Sequence, residues 1–423
     1  MGKHSSSFRL HGQTPLLLAL VLCCLSLPAI IGWERNNASA ARELENRNLA
    51  AAPPFKLLRK NPPEYIKSMD AYLKDTVGFR LEANALYRKL RYYIFQDPPL
   101  ANVTIGRDGH SFLNSPQATQ PYAFFESLCM QQGTPSGELL AQLDQAMAAA
   151  SGFFERRGAR AYFAIAPSTL SLYADKLPLQ VAPAYRKACM AYPSQDHALA
   201  KLQRQGEATH RYHIFYPYDL FAGHKNEKGF YPKERYHWEG KSTYLFARHL
   251  SHFIGATDTV VDNDQARLST VKDDIAGFFG FSRTIAGYEY HSPAKVIQVE
   301  AEKWLKAFSE HGVMVRINTA NSLSPKSALL IANSFGIALA PQLAKSFKDF
   351  YYLDLNMIRE DEQAAVFAAI AERLQPDYVF FVFDDVNVTT IPRRLAGFAQ
   401  LNEQVNQAEV LPSKGSGLEK SGQ

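Results

Sequence analysis

The residues best suited to chemistry in this chain are a histidine and a serine. His237 stands in YPKERYHWEG, residues 231–240, directly after a charged, proline-containing loop. An imidazole titrates near neutrality, so it can act as a general base or a metal ligand, or simply fill a core. Ser334 stands in ANSFG, where the apolar run Ser327–Asn333 gives way to a helical pattern. Open α/β sheets bind ligands at the carboxyl ends of their strands. A helix N-terminus there offers free N–H groups and a positive dipole that stabilise an oxyanion. A serine so placed can be a nucleophile, or no more than an N-cap, a position serine favours. A nucleophilic serine needs a base to take its proton, and the base needs an orienting carboxylate. His237 can be that base, and Glu234, three residues earlier, can reach its Nδ1 from the same loop. The chemistry would be acyl transfer, as in an esterase or an acyltransferase.

Such groups must be held by a scaffold, and the second half of the chain reads as one. Ser327–Asn333, FYYLDL and PDYVFFVFDD are short apolar runs bounded by turn signals, the pattern of buried strands. Helical patterns over about 336–348 and in DEQAAVFAAIAERL separate them. Strands alternating with helices predict parallel pairing in an α/β sheet. Earlier in the chain, Arg160–Pro167 reads as another buried strand and 137–158 as an amphipathic helix. Asn102–Leu113 reads as a strand, a glycine turn and a strand, and Tyr65–Phe95 as helical.

The composition is that of a globular protein, with 46% hydrophobic and 21% charged residues among 423. A net charge of +5 without a dense Lys/Arg stripe gives no case for nucleic acid. Pro15–Trp33 is apolar, uncharged and about long enough to span a bilayer. It reads as an anchor, or as a signal segment cleaved near Ala38-Ser39-Ala40, and either reading places the body outside the cytoplasm. Residues 1–14 would then be cytoplasmic, 34–63 a Pro-rich linker and 406–423 a disordered tail. Two of the four cysteines, Cys129 and Cys189, lie in the body. They can form one disulfide in an oxidising compartment, or remain two separate buried thiols. Two cysteines are too few for a thiolate zinc site, and no cofactor or metal is expected. His249 and His252 share a helical face but have no third ligand at suitable spacing, and read as a half-exposed helix.

Taken in order, several blocks carry a resemblance. They are YLKDTVGFR, TIGRDGHSFL, the long segment from Tyr218 that ends in HWEGKSTYLFARHL, DDIAGFFGF and ALLIANSFG. The series resembles the SGNH-hydrolase-like alginate O-acetyltransferase (AlgX/AlgJ) family over most of the chain. The resemblance implies an SGNH-like parallel sheet with flanking helices over residues 64–405, His237 as base and Ser334 as acyl-carrying nucleophile. It implies a membrane-tethered periplasmic O-acetyltransferase acting on an exopolysaccharide, fed by a multi-span membrane acyltransferase. A carbohydrate esterase and an inactive glycan-binding scaffold are the alternatives. Two positions depart from the family. Arg235 replaces its Asp two residues before the His, and Ala332-Asn333 replaces its Gly-Asp before the Ser. Glu234 is therefore expected to orient His237, with Asp219 and Asp384 as alternatives. Asn333, Trp238 and Arg235 are expected near the oxyanion or the substrate.

Overall fold

The computed structural model describes residues 50–410, apart from 77–79, 96–102, 116–119, 121, 131–136, 193–197, 256–264, 280–281, 292–294, 321 and 323. The apolar run 15–33, its linker up to residue 49 and the tail beyond 410 lie outside the described residues. Among those described, no helix is long and apolar enough to cross a membrane. The chain divides into two compact units, Met1–Pro99 with Ala276–Arg283, and Leu100–Ile275 with Thr284–Gln423. The division falls inside the 64–405 span expected to be one domain.

The first unit is helical: α1 (Phe55–Lys60), α2 (Pro62–Thr76) and α3 (Arg80–Leu90), followed by a π-helical turn Arg91–Phe95. The Tyr92 ring meets Phe279 edge-on at 5.0 Å, and the Arg283 guanidinium lies over Tyr92.

The second unit carries the sequence motifs. Its described strands are β1 (Val103–Ile105), β2 (Ser111–Leu113), β3 (Arg160–Ala166), β4 (Ile214–Phe215), β5 (Gln265–Lys272), β6 (Thr284–His291), β7 (Lys295–Ala301), β8 (Val313–Ala320), β9 (Ser327–Ala332), β10 (Asp349–Asp354) and β11 (Tyr378–Asp384). Seven of them form one sheet in the order β4-β3-β11-β9-β10-β8-β7. The strands from β4 to β10 in that order are mutually parallel. β8 runs antiparallel to β10, and β7 antiparallel to β8. The sheet is thus mixed, which corrects the all-parallel expectation. The link 321–326 between β8 and β9 is too short for the crossover that returns a chain to the same end of a sheet, which takes about a dozen residues. β9 therefore starts at the end where β8 stops, and β10 pairs between them.

The helices used below are α4 (Gly137–Glu155), α5 (Lys241–Phe253), α6 (Asp274–Phe278), α7 (Phe335–Leu343), α8 (Gln363–Leu374) and α9 (Ala396–Val410). β3, β9 and β11 read as unbroken apolar runs because both faces of the sheet are covered. Phe163, Ile165, Leu329, Ile331, Val379 and Phe381 face one core. Met147 and Phe154 of α4, Phe367 of α8 and Phe398 of α9 complete it. Alternate residues point the other way: Tyr162 meets Phe253 of α5, and Phe380 meets Phe347 just after α7. Two covered faces leave only the strand ends open, and the sequence motifs converge on the carboxyl end.

Candidate active site

Ser334 lies two residues beyond the end of β9 and immediately before α7. Its side chain makes no capping hydrogen bond, although it stands at the N-cap. Asn333 does that work instead, its Oδ1 accepting the Phe335 amide at 3.1 Å. The Ser334 hydroxyl is left to face His237, with Oγ 2.9 Å from Nε2. Gly336, in the first turn of α7, lets the helix start this close to the sheet. A Cβ there would lie 2.5 Å from Ala332 Cβ and 2.6 Å from Tyr352 Cε2.

The loop bearing His237 is clamped by its neighbours. Trp238 is fully buried, and its indole Nε1–H donates to the Phe335 carbonyl at 2.8 Å. The ring packs against Phe246 of α5 and against Phe335. An indole costs little to bury once its N–H has a partner, and here that partner lies on the residue after Ser334. Gly240 closes the loop at φ 61°, where a Cβ would meet the Tyr288 carbonyl oxygen at 2.7 Å.

The carboxylate on the base is Asp274, the first residue of α6. Its Oδ2 lies 2.9 Å from His237 Nδ1 and also accepts the His237 backbone N–H at 3.0 Å. Nδ1 thus carries the hydrogen and Nε2 is free to take the Ser334 proton. Arg235 approaches the other oxygen, Oδ1, at 3.3 Å and pairs with Glu239 at 2.9 Å. Burial raises the Asp274 pKa, but the His237 hydrogen bond and the Arg235 charge outweigh it, and the net shift is below the ordinary carboxylate range. At Glu239 burial dominates and the pKa is raised.

Ser334 and His237 are therefore brought together, and Glu234 is not the orienting group. Glu234 lines a separate cavity of about 360 Å³ with Asp108, His110, Lys176 and Lys225. In that cavity wall, burial lowers the His110 pKa to about 4, and its ring lies 4.5 Å from Tyr173. Asp219 is exposed at the start of the helix Tyr218–His224. Arg235, where the family has a carboxylate, pairs with the carboxylate that meets His237. Arg235, Trp238 and Asn333, expected near the oxyanion or the substrate, are all nearly or fully buried. At this helix N-terminus the Asn333 amide donates to the Val382 carbonyl at 3.3 Å. The Ser334 amide meets no acceptor among the described residues.

No family model matches the chain, and no curated protein matches it in sequence. Solved structures do superpose on it. PatB1 of Bacillus cereus, seen with a sulfonyl adduct, is 16% identical with a TM-score of 0.44, over 61% of this chain and 92% of that one. The O-acetyltransferase domain of Pseudomonas putida AlgJ is 12% identical with a TM-score of 0.42, over 68% and 92%. Pseudomonas aeruginosa AlgX is 14% identical with a TM-score of 0.40, over 73% and 70%. All three fall below a TM-score of 0.5, and the chemistry below rests on this chain's own side chains.

Asp274 was hidden in the sequence by its distance, 37 residues from His237. It stands in the block DDIAGFFGF, whose pair Asp273-Asp274 ahead of an apolar run marks the acidic first turn that a helix N-terminus favours, but nothing in that block ties it to His237. The two body cysteines are bonded to each other, with Cα atoms 4.6 Å apart.

Proposed function

We propose that this protein is a serine O-acyltransferase that moves an acetyl group onto a hydroxyl of a polysaccharide. The observation that carries the reading is the continuous relay from Asp274 through His237 to Ser334 Oγ. The ordered series of sequence blocks resembling alginate O-acetyltransferases points to the acetyl group and the glycan. In the first step Ser334 Oγ attacks the acetyl carbonyl of the donor while His237 Nε2 takes the hydroxyl proton. The imidazolium is steadied by Asp274, and the Ser334 amide faces the developing oxyanion. Collapse breaks the bond to the donor oxygen, which leaves with the proton held on Nε2. A sugar hydroxyl then enters, loses its proton to His237, attacks the acetyl-serine and leaves acetylated, and the proton returns to Oγ.

The same reading places the body at the periplasmic face of a bacterial inner membrane, tethered through residues 15–33 or released after signal cleavage. A multi-span membrane acyltransferase would supply the acetyl group. An export-dependent reporter fused after Gln423 should be active; activity of a reporter that works only in the cytoplasm would sink that placement.

The site itself is tested by Ser334→Ala and His237→Ala. Each should abolish acetyl release from a small activated ester and acetylation of the polymer, and the double variant should be no worse, because nucleophile and base act as one unit. Added oligosaccharide should capture the acetyl group. If it changes nothing while ester cleavage persists, the protein is an esterase. Full activity of Ser334→Ala in both assays would refute the serine mechanism. A wild type inert in both, with Ser334→Ala still supporting polymer acetylation in the cell, would leave a scaffold.

A further inference from the structure

We propose that Asp384 is a positioning residue that holds nucleophile and base in register, acting through Asn333 and Tyr236. The proposal rests on the serine reading above. Asp384 ends β11, next to β9 in the sheet, and has no solvent exposure. Its Oδ1 accepts Asn333 Nδ2 at 2.6 Å and Asn387 Nδ2 at 2.7 Å, and its Oδ2 accepts the Tyr236 hydroxyl at 2.8 Å. Asn333 immediately precedes Ser334, and its own Oδ1 caps α7 through the Phe335 amide. Tyr236 immediately precedes His237, and its ring lies 4.8 Å from the imidazole and 5.4 Å from Phe335. One buried carboxylate thus joins, from beneath, the two segments whose side chains meet at Ser334 Oγ and His237 Nε2.

The residue type suits the task. Three donors converge on one group, and a carboxylate is an acceptor at both oxygens, whereas an amide would turn its NH₂ toward at least one of them. Burial raises the Asp384 pKa above the ordinary carboxylate value, and the bonds from Asn387, Tyr236 and Asn333 limit that rise without cancelling it. Asp384 does not touch His237 Nδ1, which Asp274 occupies, so its role is separate from orienting the imidazole. Its effect should be felt because proton transfer needs Ser334 Oγ held against His237 Nε2, and a misplacement of about 1 Å can cost about 100-fold in rate.

The test uses the full chain with Asp384→Asn, Tyr236→Phe, Asn333→Ala and their combinations. Turnover of a small activated acetyl ester, labelling of Ser334 by a fluorophosphonate and the thermal midpoint are read together. Asp384→Asn should lower kcat and the labelling rate by about 10- to 100-fold with KM little changed. Tyr236→Phe should give part of that loss and add little to Asp384→Asn, because both changes interrupt the link through which Asp384 acts; Asn333→Ala also removes the cap on the Phe335 amide and should cost more than that link alone. A merely structural role would lower the thermal midpoint and leave kcat per folded molecule untouched; that result overturns the proposal, as do losses that simply multiply. If Asp384→Asn does not fold, Tyr236→Phe decides, since it keeps the ring and removes one hydroxyl: unchanged kcat and labelling overturn the proposal, and a fall in both with KM kept supports it. Ser334→Ala is measured alongside. Retained activity there removes the serine reading itself, whereas an inactive Ser334→Ala beside an unimpaired Asp384→Asn removes only the role of Asp384.

Discussion

At the scale of single residues, two carboxylates competed for His237, and geometry separates them. Asp274 contacts Nδ1, and Glu234 lines another cavity. Asp274→Asn should therefore lower kcat by about 10⁴-fold, because an amide can favour the wrong imidazole tautomer and cannot stabilise the imidazolium. Glu234→Gln should leave kcat within a few-fold of wild type, and steady-state kinetics on an activated ester checks both. A severe Glu234→Gln with a mild Asp274→Asn would reverse the assignment. The Asp274 pKa is depressed in the folded state, so its stabilising contribution is present above the unfolded carboxylate value and lost only as the pH falls through the lower, folded one. Acid alone should thus remove the charge on Asp274 later than it does for an unperturbed aspartate. Ser334 makes no capping bond, so Ser334→Ala should cost less stability than the 0.5–2 kcal/mol typical of a lost serine cap, roughly.

At the scale of elements, the site depends on how closely α7 meets the sheet. Gly336 lies against Ala332 of β9 and Tyr352 of β10 with no room for a methyl group. Gly336→Ala should force the helix outward, costing about 1–3 kcal/mol as an overpacked core does. Ser334 moves with the helix, so kcat should fall as well. Denaturant unfolding read together with kcat checks this. Unchanged stability and unchanged kcat would mean that the helix start tolerates the shift. The same closeness explains Trp238. Its indole bonds the Phe335 carbonyl, so the loop carrying the base is tied to the helix that follows the nucleophile.

At the scale of the second unit, the disulfide joins the π-helical turn Glu126–Met130 to the helix Pro183–Ala191. That turn is itself bonded to the segment after β11, where Ser127 Oγ donates to the Val386 carbonyl at 2.9 Å and lies 3.0 Å from Thr389 Oγ1. The bridge spans a sequence separation of 60 residues, and closing a loop of that order stabilises by about 4 kcal/mol. Cys129→Ala with Cys189→Ala should lower the unfolding free energy by about that amount while leaving kcat of the folded protein intact, since neither sulfur touches the relay. Two free thiols in wild-type protein purified without reductant, seen by non-reducing mass spectrometry, would remove the bridge.

Several features of this protein were legible in its sequence because they are local. The apolar runs at β3, β9, β10 and β11 announce strands because a buried strand must be apolar along its own length. Ser334 announces a strand-to-helix junction because the period of the pattern changes beside it. His237 beside Trp238 stands out because a polar and a large apolar ring in one loop need opposite surroundings. β5 to β8 were not legible as strands, being short of continuous apolar runs and partly exposed. The two antiparallel pairings of the sheet, β10 with β8 and β8 with β7, followed from which strands closed short links and which came to lie between them. The partners of the site were decided by tertiary structure alone. His237 and Asp274 are 37 residues apart, His237 and Ser334 97, and Asn333 and Asp384 51. Periodicity records which face of an element is buried, and near-neighbour spacing records what a single loop can reach, so Glu234 was the carboxylate visible in the sequence. Which carboxylate meets the imidazole depends on where the folded chain returns, and only the packed sheet, with its loops gathered at the carboxyl ends of its strands, selects Asp274 for the base and Asp384 for the support beneath it.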